Sequence, residues 1–324
     1  MKAALLKEYG ATPAVAEVDA PVTGQGSSLV QVVYGALNPV DLRIATGHFY
    51  SGSPTLPYVP GSEGVGTVVK SGKWPTGSRV RFEQAAPGAF AELIVADDES
   101  IVVVPDDVSD EVAASLGVPG IAAYLSLVDG AAFKEGESVV VLGATGMVGQ
   151  IAAQVARILG AREVVVVGRN EKVLADVAAA AGARSVTVVA DQNAVELSGK
   201  IEDAAGGKVD VVVDPLWGMP ALASMMAMAP GGRLVNLGES AGAELSIPSA
   251  LLRSKKLEII GYSNFSVPAR RRQEALEALF GYASDGNLKV KYRSFSLTDI
   301  GEAWRLQMES PGCKLLLAPV VPSA

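Results

Sequence analysis

A glycine-rich turn between a valine-rich run and an amphipathic segment constrains the fold of this chain more than any other feature. The run Val139–Leu142 is apolar, residues 143–149 carry three glycines, and Gln150–Leu159 has apolar residues at helical spacing. This order predicts a strand, a tight turn and a helix, the place where a doubly wound α/β sheet binds a dinucleotide pyrophosphate. The predicted pyrophosphate-binding residues are Ala144, Thr145, Gly146, Met147, Val148 and Gly149, with alanine in place of the usual first glycine.

The sequence on either side of this turn predicts two kinds of domain. Residues 2–104 contain short β-rich runs separated by Gly, Pro and Ser clusters, which is typical of a barrel-like β domain. From about residue 109 to 265, Val-rich strands alternate with Ala-rich helices, as a parallel sheet buried on both faces requires. The expected strands of this sheet are Ser138–Leu142, Glu163–Val167, Ser185–Val189, Val209–Val213, Arg233–Leu237 and Glu258–Gly261. A further helix, strand and helix are expected after Pro268.

The end of the second strand predicts which dinucleotide binds. The residue that contacts the adenosine ribose is expected about 20 positions after the glycine turn, where the chain reads Gly168-Arg169-Asn170 and carries no carboxylate. An arginine can bind a 2′-phosphate with two hydrogen bonds, and Lys172 adds a second positive charge nearby. We therefore expect NADP(H) rather than NAD(H). The alternative is that Arg169 is a solvated loop charge.

Charge and residue usage exclude several classes of protein. The formal net charge of −8 argues against nucleic acid or an anionic membrane as the main partner. One cysteine, Cys313, and one histidine, His48, exclude an internal disulfide framework and every multi-cysteine metal site. The N-terminal residues are charged and lack a long apolar run, so neither a secretory signal nor a membrane span is expected. A cytoplasmic location is the prediction.

Several segments together resemble the medium-chain dehydrogenase/reductase superfamily, in its zinc-independent quinone oxidoreductase-like branch. They occur in the family's order and spacing: residues 38–41 (NPVD), 61–69 (GSEGVGTVV), 88–92, 119–124, 231–238 and 312–317. The resemblance implies a Rossmann-type doubly wound parallel sheet plus a GroES-like β-barrel catalytic domain. The catalytic domain is then expected in two parts, residues 1–115 and 266–324, around an NADP-binding domain at 116–265. A homodimer built by extending the nucleotide-domain sheet is also implied.

The zinc ligands of the family's alcohol dehydrogenases are replaced in this chain. Asn38 stands at the first cysteine position and Ser62 at the histidine position, and residues 73–79 are too few to hold the lobe that binds a second zinc. Tetrahedral zinc is held mainly by several His and Cys donors, and the sequence contains only His48 and Cys313. We therefore expect no metal site and a reductase that transfers a hydride to a quinone or an α,β-unsaturated carbonyl compound.

Two other functions remain open at the level of sequence. One is an enoyl-thioester reductase, in which the phosphates of the carrier would contact Arg270, Arg271 and Arg272; simple solvation of these three arginines is the favoured interpretation. The other is a noncatalytic NADPH-binding sensor or crystallin-like protein.

The proton donor is the least determined part of the predicted site. Tyr50 and His48 lie in the segment that resembles the family's substrate-facing loop, and solvent protonation is the third option. Asn38 is expected by resemblance beside the nicotinamide, as a catalytic and cofactor-binding residue, whereas Asp41 is expected to cap or pack locally. The resemblance implies further cofactor contacts at Leu237, Gly238, Ser263, Asn264 and Phe265.

Overall fold

The structure of the chain is a computed structural model that describes residues 1–50, 52–84 and 86–319. These residues form two compact units. Unit 1 contains Met1–Val118, Ala269–Ser284 and the described residues from Val290 onward, and unit 2 contains Pro119–Pro268 and Asp285–Lys289. The short segment Asp285–Lys289 therefore groups with unit 2, although the sequence-based division assigned it to the part 266–324.

Unit 1 is built mainly on a seven-stranded, largely antiparallel sheet. Its strands are β3 (Ser27–Leu37), β4 (Glu63–Lys70), β5 (Arg79–Glu83), β6 (Leu93–Asp97), β7 (Val102–Val103), β14 (Tyr292–Ser296) and β15 (Lys314–Ala318). The order is β14-β15-β3-β4-β5-β7, and β6 pairs with β3. A separate hairpin joins β1 (Lys2–Leu5) to β2 (Ala14–Glu17). The helices of the unit are α1 (Pro39–Ala45), α2 (Asp110–Ser115), α9 (Ala269–Ser284) and α10 (Ile300–Met308).

One apolar core holds these elements together. Phe82 on β5, Phe90 in the loop before β6, Leu315 and Leu317 on β15, and Trp304 on α10 all pack into it and are at most 5% exposed. Aromatic side chains of this size contribute most of the burial that stabilises such a core. The positions flanking Leu316 on β15 point into this core because alternate residues of a strand face the same side.

Unit 2 is a doubly wound sheet of six parallel strands. They are β8 (Ser138–Val141), β9 (Glu163–Gly168), β10 (Arg184–Thr187), β11 (Val209–Asp214), β12 (Met228–Asn236) and β13 (Glu258–Gly261). Helices α3 (Val118–Leu125), α4 (Met147–Ile158), α5 (Glu171–Ala181), α6 (Ala194–Ala205), α7 (Gly218–Ala227) and α8 (Ser249–Lys255) lie between or before them. The order is β10-β9-β8-β11-β12-β13. The α/β fold with a Rossmann-type sheet is confirmed, and the all-valine interiors of β8 and β9 are buried on both faces.

The strand order fixes where a ligand can bind in unit 2. From β8 the chain winds to β9 and β10 on one side, and it then returns to β11, β12 and β13 on the other side. The reversal lies between β8 and β11. In open parallel sheets, ligands bind at the carboxyl ends of the strands at such a reversal. The turn from β8 into α4 is therefore at the expected ligand position.

Candidate active site

The turn between β8 and α4 is held in a conformation that only glycine allows at two positions. Gly143 has a φ of +59°, and the amide of Ala144 donates to Val167 O on β9 at 3.0 Å. A Cβ on Gly149 would lie 2.5 Å from Ala144 Cα and 2.7 Å from Gly143 O, so α4 packs directly against the turn. A Cβ on Gly146 would meet only Gly143 O, at 3.4 Å. The backbone at Gly146 is thus open to a close-fitting ligand.

Neighbouring side chains fix the turn from the protein side. Gln150 Nε2 donates to Thr145 O at 2.8 Å, and the Thr145 side chain packs on Gly168 at the end of β9, where a Cβ would lie 3.2 Å from Thr145 Cγ2. Helix α4 begins with no side chain capping its N-terminus. An uncapped N-terminus with a rigid glycine turn in front of it suits a phosphate group. The residues present therefore fit the pyrophosphate of a dinucleotide.

The predicted ribose-binding segment follows β9 directly. Arg169 and Lys172 are both exposed, so both cations are accessible to a ligand. Asn170 has a structural role, because its Oδ1 accepts the Val173 amide at 3.1 Å and caps α5. A carboxylate is absent from residues 168–170, which is the arrangement expected where a 2′-phosphate is bound.

A buried carboxylate at the end of β11 was missed by the sequence reasoning. Asp214 is fully buried and accepts the amides of Leu216 at 2.9 Å and Trp217 at 2.8 Å. Burial raises the pKa of Asp214, and these hydrogen bonds oppose that increase. Asn236 Nδ2 donates to Asp214 Oδ2 at 3.1 Å and to Gly238 O at 2.8 Å. A carboxylate directly after a run of valines was the available signal, because it marks the carboxyl end of a buried strand.

This network positions the next two predicted cofactor residues. The Leu237 amide donates to Asp214 O at 2.7 Å, and a Cβ on Gly238 would lie 2.9 Å from Pro215 O. The backbone of residues 237–238 is therefore fixed at the same edge of the sheet as the glycine turn.

The predicted segment Ser263-Asn264-Phe265 also follows a strand of this sheet. Ser263 Oγ accepts the Phe265 amide at 3.3 Å and starts a short 3₁₀ turn, and Tyr262 Oη donates to Asn264 Oδ1 at 2.8 Å. The Phe265 ring is 51% exposed. All the predicted cofactor residues of unit 2 thus lie at or just after the carboxyl ends of β8, β9, β12 and β13, and Asn38 is in unit 1.

Asn38 in unit 1 is buried, and both N–H groups of its amide are occupied. Asn38 Nδ2 donates to Ala36 O and to Glu63 Oε1, both at 3.0 Å, and Oδ1 accepts from Lys314 Nζ at 2.5 Å. The residue is 2% exposed. The roles of Asn38 toward cofactor and substrate remain predictions. A hydrogen bond from either ligand would have to use the second lone pair of Asn38 Oδ1.

A chain of buried ion pairs extends from Asn38 through unit 1. Glu63 contacts Lys314 Nζ at 3.0 Å and Arg81 at 2.5 Å, Arg81 contacts Glu83 at 3.2 Å, and Glu83 also pairs with Arg272. Burial alone would raise the pKa of Glu63, but the charges of Lys314 and Arg81 outweigh it and lower this pKa to about 2. This chain holds the Glu63 carboxylate beside Asn38 in its charged form.

The ion-pair chain corrects the interpretation of the three consecutive arginines. Solvation was expected for all three, yet the Arg272 side chain is only 11% exposed and binds Glu83. Arg270 is 90% exposed and contacts Glu274, as does Arg271. Arg272 therefore forms an ion pair within the protein, because Glu83 on β5 lies next to it.

The two candidate proton donors from the loop after α1 are both exposed. The Tyr50 side chain is 75% exposed and its ring centroid lies 4.4 Å from that of Phe49. His48 is also exposed, and its amide contacts Thr46 Oγ1 at 3.3 Å. Their roles remain predictions.

A cavity of about 430 Å³ lies in unit 1 next to α1 and the start of β4. Its polar lining includes Asp41 and Ser62, and most of the remaining lining residues are apolar or proline. Ser62 Oγ donates to Asp41 Oδ1 at 2.5 Å. The Asn38 amide donates to Asp41 Oδ2 at 2.7 Å, which confirms a local capping contact for Asp41.

The side chains at the family's zinc position do not fit a tetrahedral zinc. Asn38 Oδ1 is 2.5 Å from the ammonium of Lys314, and Ser62 Oγ is bound to Asp41. No group of three or more His, Cys, Asp and Glu side chains in residues 1–50, 52–84 and 86–319 is arranged to hold a metal ion. Neutral amide and hydroxyl oxygens next to an ammonium group are poor zinc donors.

The fold and the glycine turn together are typical of a dinucleotide-binding enzyme that has a β-sheet domain and a Rossmann-type domain. Comparison with known proteins agrees. The family model for zinc-binding dehydrogenases matches residues 147–280, and the model for the alcohol dehydrogenase GroES-like domain matches residues 24–106. Human quinone oxidoreductase is 28% identical over 94% of this chain and 92% of its own length. Mouse quinone oxidoreductase is 30% identical over 81% of this chain and 80% of its own length.

Solved structures show the same fold over the whole length. A mycobacterial protein complexed with NADPH has a TM-score of 0.86 and 25% identity, and the match covers 98% of this chain and 100% of that chain. The chain belongs to the medium-chain dehydrogenase/reductase superfamily, in its quinone oxidoreductase-like branch. The expectations of a GroES-like domain and of an oxidoreductase enzyme are confirmed by these matches. No helix within the described ranges is long and apolar enough to cross a membrane.

Proposed function

We propose that this chain is a zinc-independent, NADPH-dependent reductase that transfers a hydride to a quinone or an α,β-unsaturated carbonyl compound. The main support for a dinucleotide cofactor is the glycine turn, which is open at Gly146. The support for NADPH is the exposed Arg169 and the lack of a carboxylate at residues 168–170. NADPH, when bound, supplies the hydride. The relatives named quinone oxidoreductase and the structural neighbour with NADPH support this proposal.

The residues of unit 2 bind and orient the dinucleotide in this proposal. The turn at residues 143–149 and the N-terminus of α4 hold the pyrophosphate, and Arg169 with Lys172 holds the 2′-phosphate. Residues 237–238 and 263–265 contact the nicotinamide end. The Asp214–Asn236 pair keeps residues 237–238 in place and so acts as a positioning pair.

Zinc independence rests on the donor chemistry of unit 1. Zinc as a Lewis acid stabilises the alkoxide in alcohol oxidation, and here the oxygen atoms of Asn38 and Ser62 are engaged by Lys314 and Asp41. Reduction of a quinone or an enone needs only alignment of the acceptor and a proton. The side chains present suit the second reaction.

Steady-state oxidation of NADPH with three acceptors tests this function. We expect turnover with a benzoquinone or an enone and little with crotonyl-CoA; faster turnover with crotonyl-CoA would identify an enoyl-thioester reductase. NADPH binding without turnover of any acceptor would instead identify a noncatalytic binding protein. Zinc analysis of the active protein completes the test.

We also propose a homodimer formed by extension of the unit 2 sheet. Strand β13 is an edge strand of that sheet, and its Ile259 is 39% exposed. An exposed edge strand is a template for pairing with another chain. Light scattering coupled to gel filtration should give twice the chain mass. Ile259→Lys should shift the protein toward the monomer, because a charged side chain on the edge strand opposes pairing with a second chain.

A further inference from the structure

The cavity of unit 1 has the size and lining of a site for a small apolar molecule. Its volume of about 430 Å³ lies within the range of small-molecule pockets. Leu5, Ile44, Val59 and several prolines form apolar walls. Pockets of this kind bind aromatic or aliphatic groups and fix them with a few polar groups. A quinone ring or an enone suits such a lining.

The Ser62 hydroxyl and a nearly buried carboxyl group lie side by side in the lining of this cavity. Ser62 and Asp41 both line it, but Ser62 is partly exposed, whereas Asp41 is 2% exposed. Asp41 Oδ1 accepts both Ser62 Oγ at 2.5 Å and the Ser62 amide at 3.0 Å. Helix α1 carries the carboxyl and the residue preceding β4 carries the hydroxyl, so two separate elements fix the pair. This geometry is that of a two-member proton path that ends at the cavity.

The surroundings of Asp41 allow its carboxyl to hold a proton near neutral pH. Burial raises the pKa of Asp41 to about 6, although the hydrogen bonds from Ser62 and Asn38 and the charge of Lys314 oppose the increase. The negative charge of Glu63 adds to it. Tyr58, whose own pKa is raised to about 12 mainly by burial, also faces Asp41 and stays neutral.

We propose that Ser62 is the catalytic proton donor to the oxygen of the hydride acceptor and that Asp41 is the positioning residue that resupplies its proton. This inference rests on the reductase function proposed above. It differs from the sequence-based predictions for Tyr50 and His48, whose side chains are exposed.

The proton steps balance with one proton taken from water. Hydride addition to the acceptor leaves a negative charge on its oxygen. Protonation of Asp41 reverses its hydrogen bond with Ser62, so that the carboxyl group donates to Ser62 Oγ and the Ser62 hydroxyl can donate to the acceptor. The Ser62 O–H bond then breaks as the new O–H bond of the product forms, and the Asp41 carboxyl proton moves to Ser62 Oγ. The Asp41 carboxylate then takes a proton from solvent. In sum, the acceptor gains two electrons and two hydrogens, and NADPH is oxidised to NADP⁺.

A second Ser–Asp pair in unit 1 provides a matched control. Ser28 Oγ donates to Asp98 Oδ1 at 2.5 Å, and both residues are buried, but neither lines the cavity. Ser28→Ala and Ser62→Ala thus remove the same kind of hydrogen bond from the same unit. Their thermal stabilities should fall together, while their activities should differ.

The experiment compares Ser62→Ala, Asp41→Asn and Ser28→Ala as complete chains with NADPH and 1,4-naphthoquinone. General acid catalysis contributes about 10²- to 10⁴-fold, so we expect Ser62→Ala to lose about 100-fold in kcat. The Kd of this variant for the quinone, measured without NADPH, should change less than about threefold. The reason is that the hydroxyl donates its proton to the acceptor during reduction and does not hold the oxidised quinone. Ser28→Ala should keep wild-type kcat. Ser62→Thr, which retains the hydroxyl, should restore most of the activity and keep the pH profile.

The pH profile separates proton supply from a structural role. In the wild type, kcat/KM should fall as pH rises above about 6, because the carboxyl form of Asp41 is lost. Asp41→Asn should be slow and should lack this dependence, since an amide cannot supply the proton. Equal activities of Ser62→Ala and Ser28→Ala, or a flat wild-type profile from pH 5 to 8, would overturn the inference. Absence of turnover in the wild type with every acceptor would instead overturn the reductase function itself.

Discussion

Replacing Gly149 by alanine tests the claim that α4 packs directly against the glycine turn. The new Cβ would lie 2.5 Å from Ala144 Cα and 2.7 Å from Gly143 O. The first distance is about 1 Å short of ordinary carbon contact, and both neighbours are backbone atoms that cannot rotate away. The turn or the first residues of α4 must therefore move.

The magnitude follows from two opposing effects. Overpacking of this kind costs about 1–3 kcal/mol. Alanine is favoured over glycine in a helix by about 0.5–1 kcal/mol. The free energy of unfolding should therefore fall by up to about 2.5 kcal/mol. Because the displaced amides are those proposed to bind the pyrophosphate, the Kd for NADPH should rise at least tenfold, which corresponds to about 1.4 kcal/mol.

Gly199→Ala is the matched control, because Gly199 is an exposed helical glycine of the same unit. It lies within α6, and its Cβ would have no neighbour within 4 Å. This variant should gain about 0.5–1 kcal/mol and bind NADPH with unchanged affinity. Urea denaturation and calorimetric titration with NADPH measure both quantities. If Gly149→Ala is as stable as Gly199→Ala and binds NADPH as the wild type does, the reasoning about the turn is refuted.

Three further predictions concern charges and hydrogen bonds. Arg169→Ala should weaken NADPH binding about 10- to 100-fold and leave the affinity for NADH unchanged. Arg184 is an exposed arginine of the same unit, and Arg184→Ala should alter neither affinity. Equal losses for both nucleotides in Arg169→Ala would contradict a 2′-phosphate contact. Glu63→Gln leaves Lys314 without its carboxylate and Arg81 with Glu83 alone, and should cost about 3–5 kcal/mol by urea denaturation at pH 7. Because the folded pKa of Glu63 is about 2 against an ordinary 4.5, its stabilisation of about 3 kcal/mol should be present above pH 4.5 and disappear as pH falls toward 2; a wild type and Glu63→Gln with parallel acid unfolding curves would contradict this. Tyr34→Phe loses the bond from Tyr34 Oη to Glu111 at 3.0 Å and should lower stability by about 1 kcal/mol without affecting turnover, and an altered kcat would show that this tyrosine has a further role.

The sequence predicted unit 2 well because its signals are local. Strands β9 and β11 are almost continuous valine, and β13 was predicted with its observed bounds. The glycine fingerprint falls within a single turn of chain, so its spacing is visible without any tertiary information. Periodicity and turn residues were therefore sufficient to predict the fold of unit 2 and the position of its glycine turn.

The polar interior of unit 1 was not predictable from one sequence. Glu63, Arg81 and Lys314 are up to 251 positions apart, and nothing local indicates that they meet in one buried ion-pair chain. Arg272 was assigned to solvent because its partner Glu83 is remote in sequence. Helix α1 was also missed, since its seven residues are too few for a periodic signal. Tertiary contacts decide all three cases.

The most direct test of the proposed function is NADPH oxidation by 1,4-naphthoquinone after dialysis against a strong chelator. The account predicts turnover that is unchanged by the chelator, that is not increased by added zinc, and that prefers NADPH to NADH by at least tenfold. An inactive dialysed protein whose activity returns with zinc, or equal use of NADH and NADPH, would contradict it.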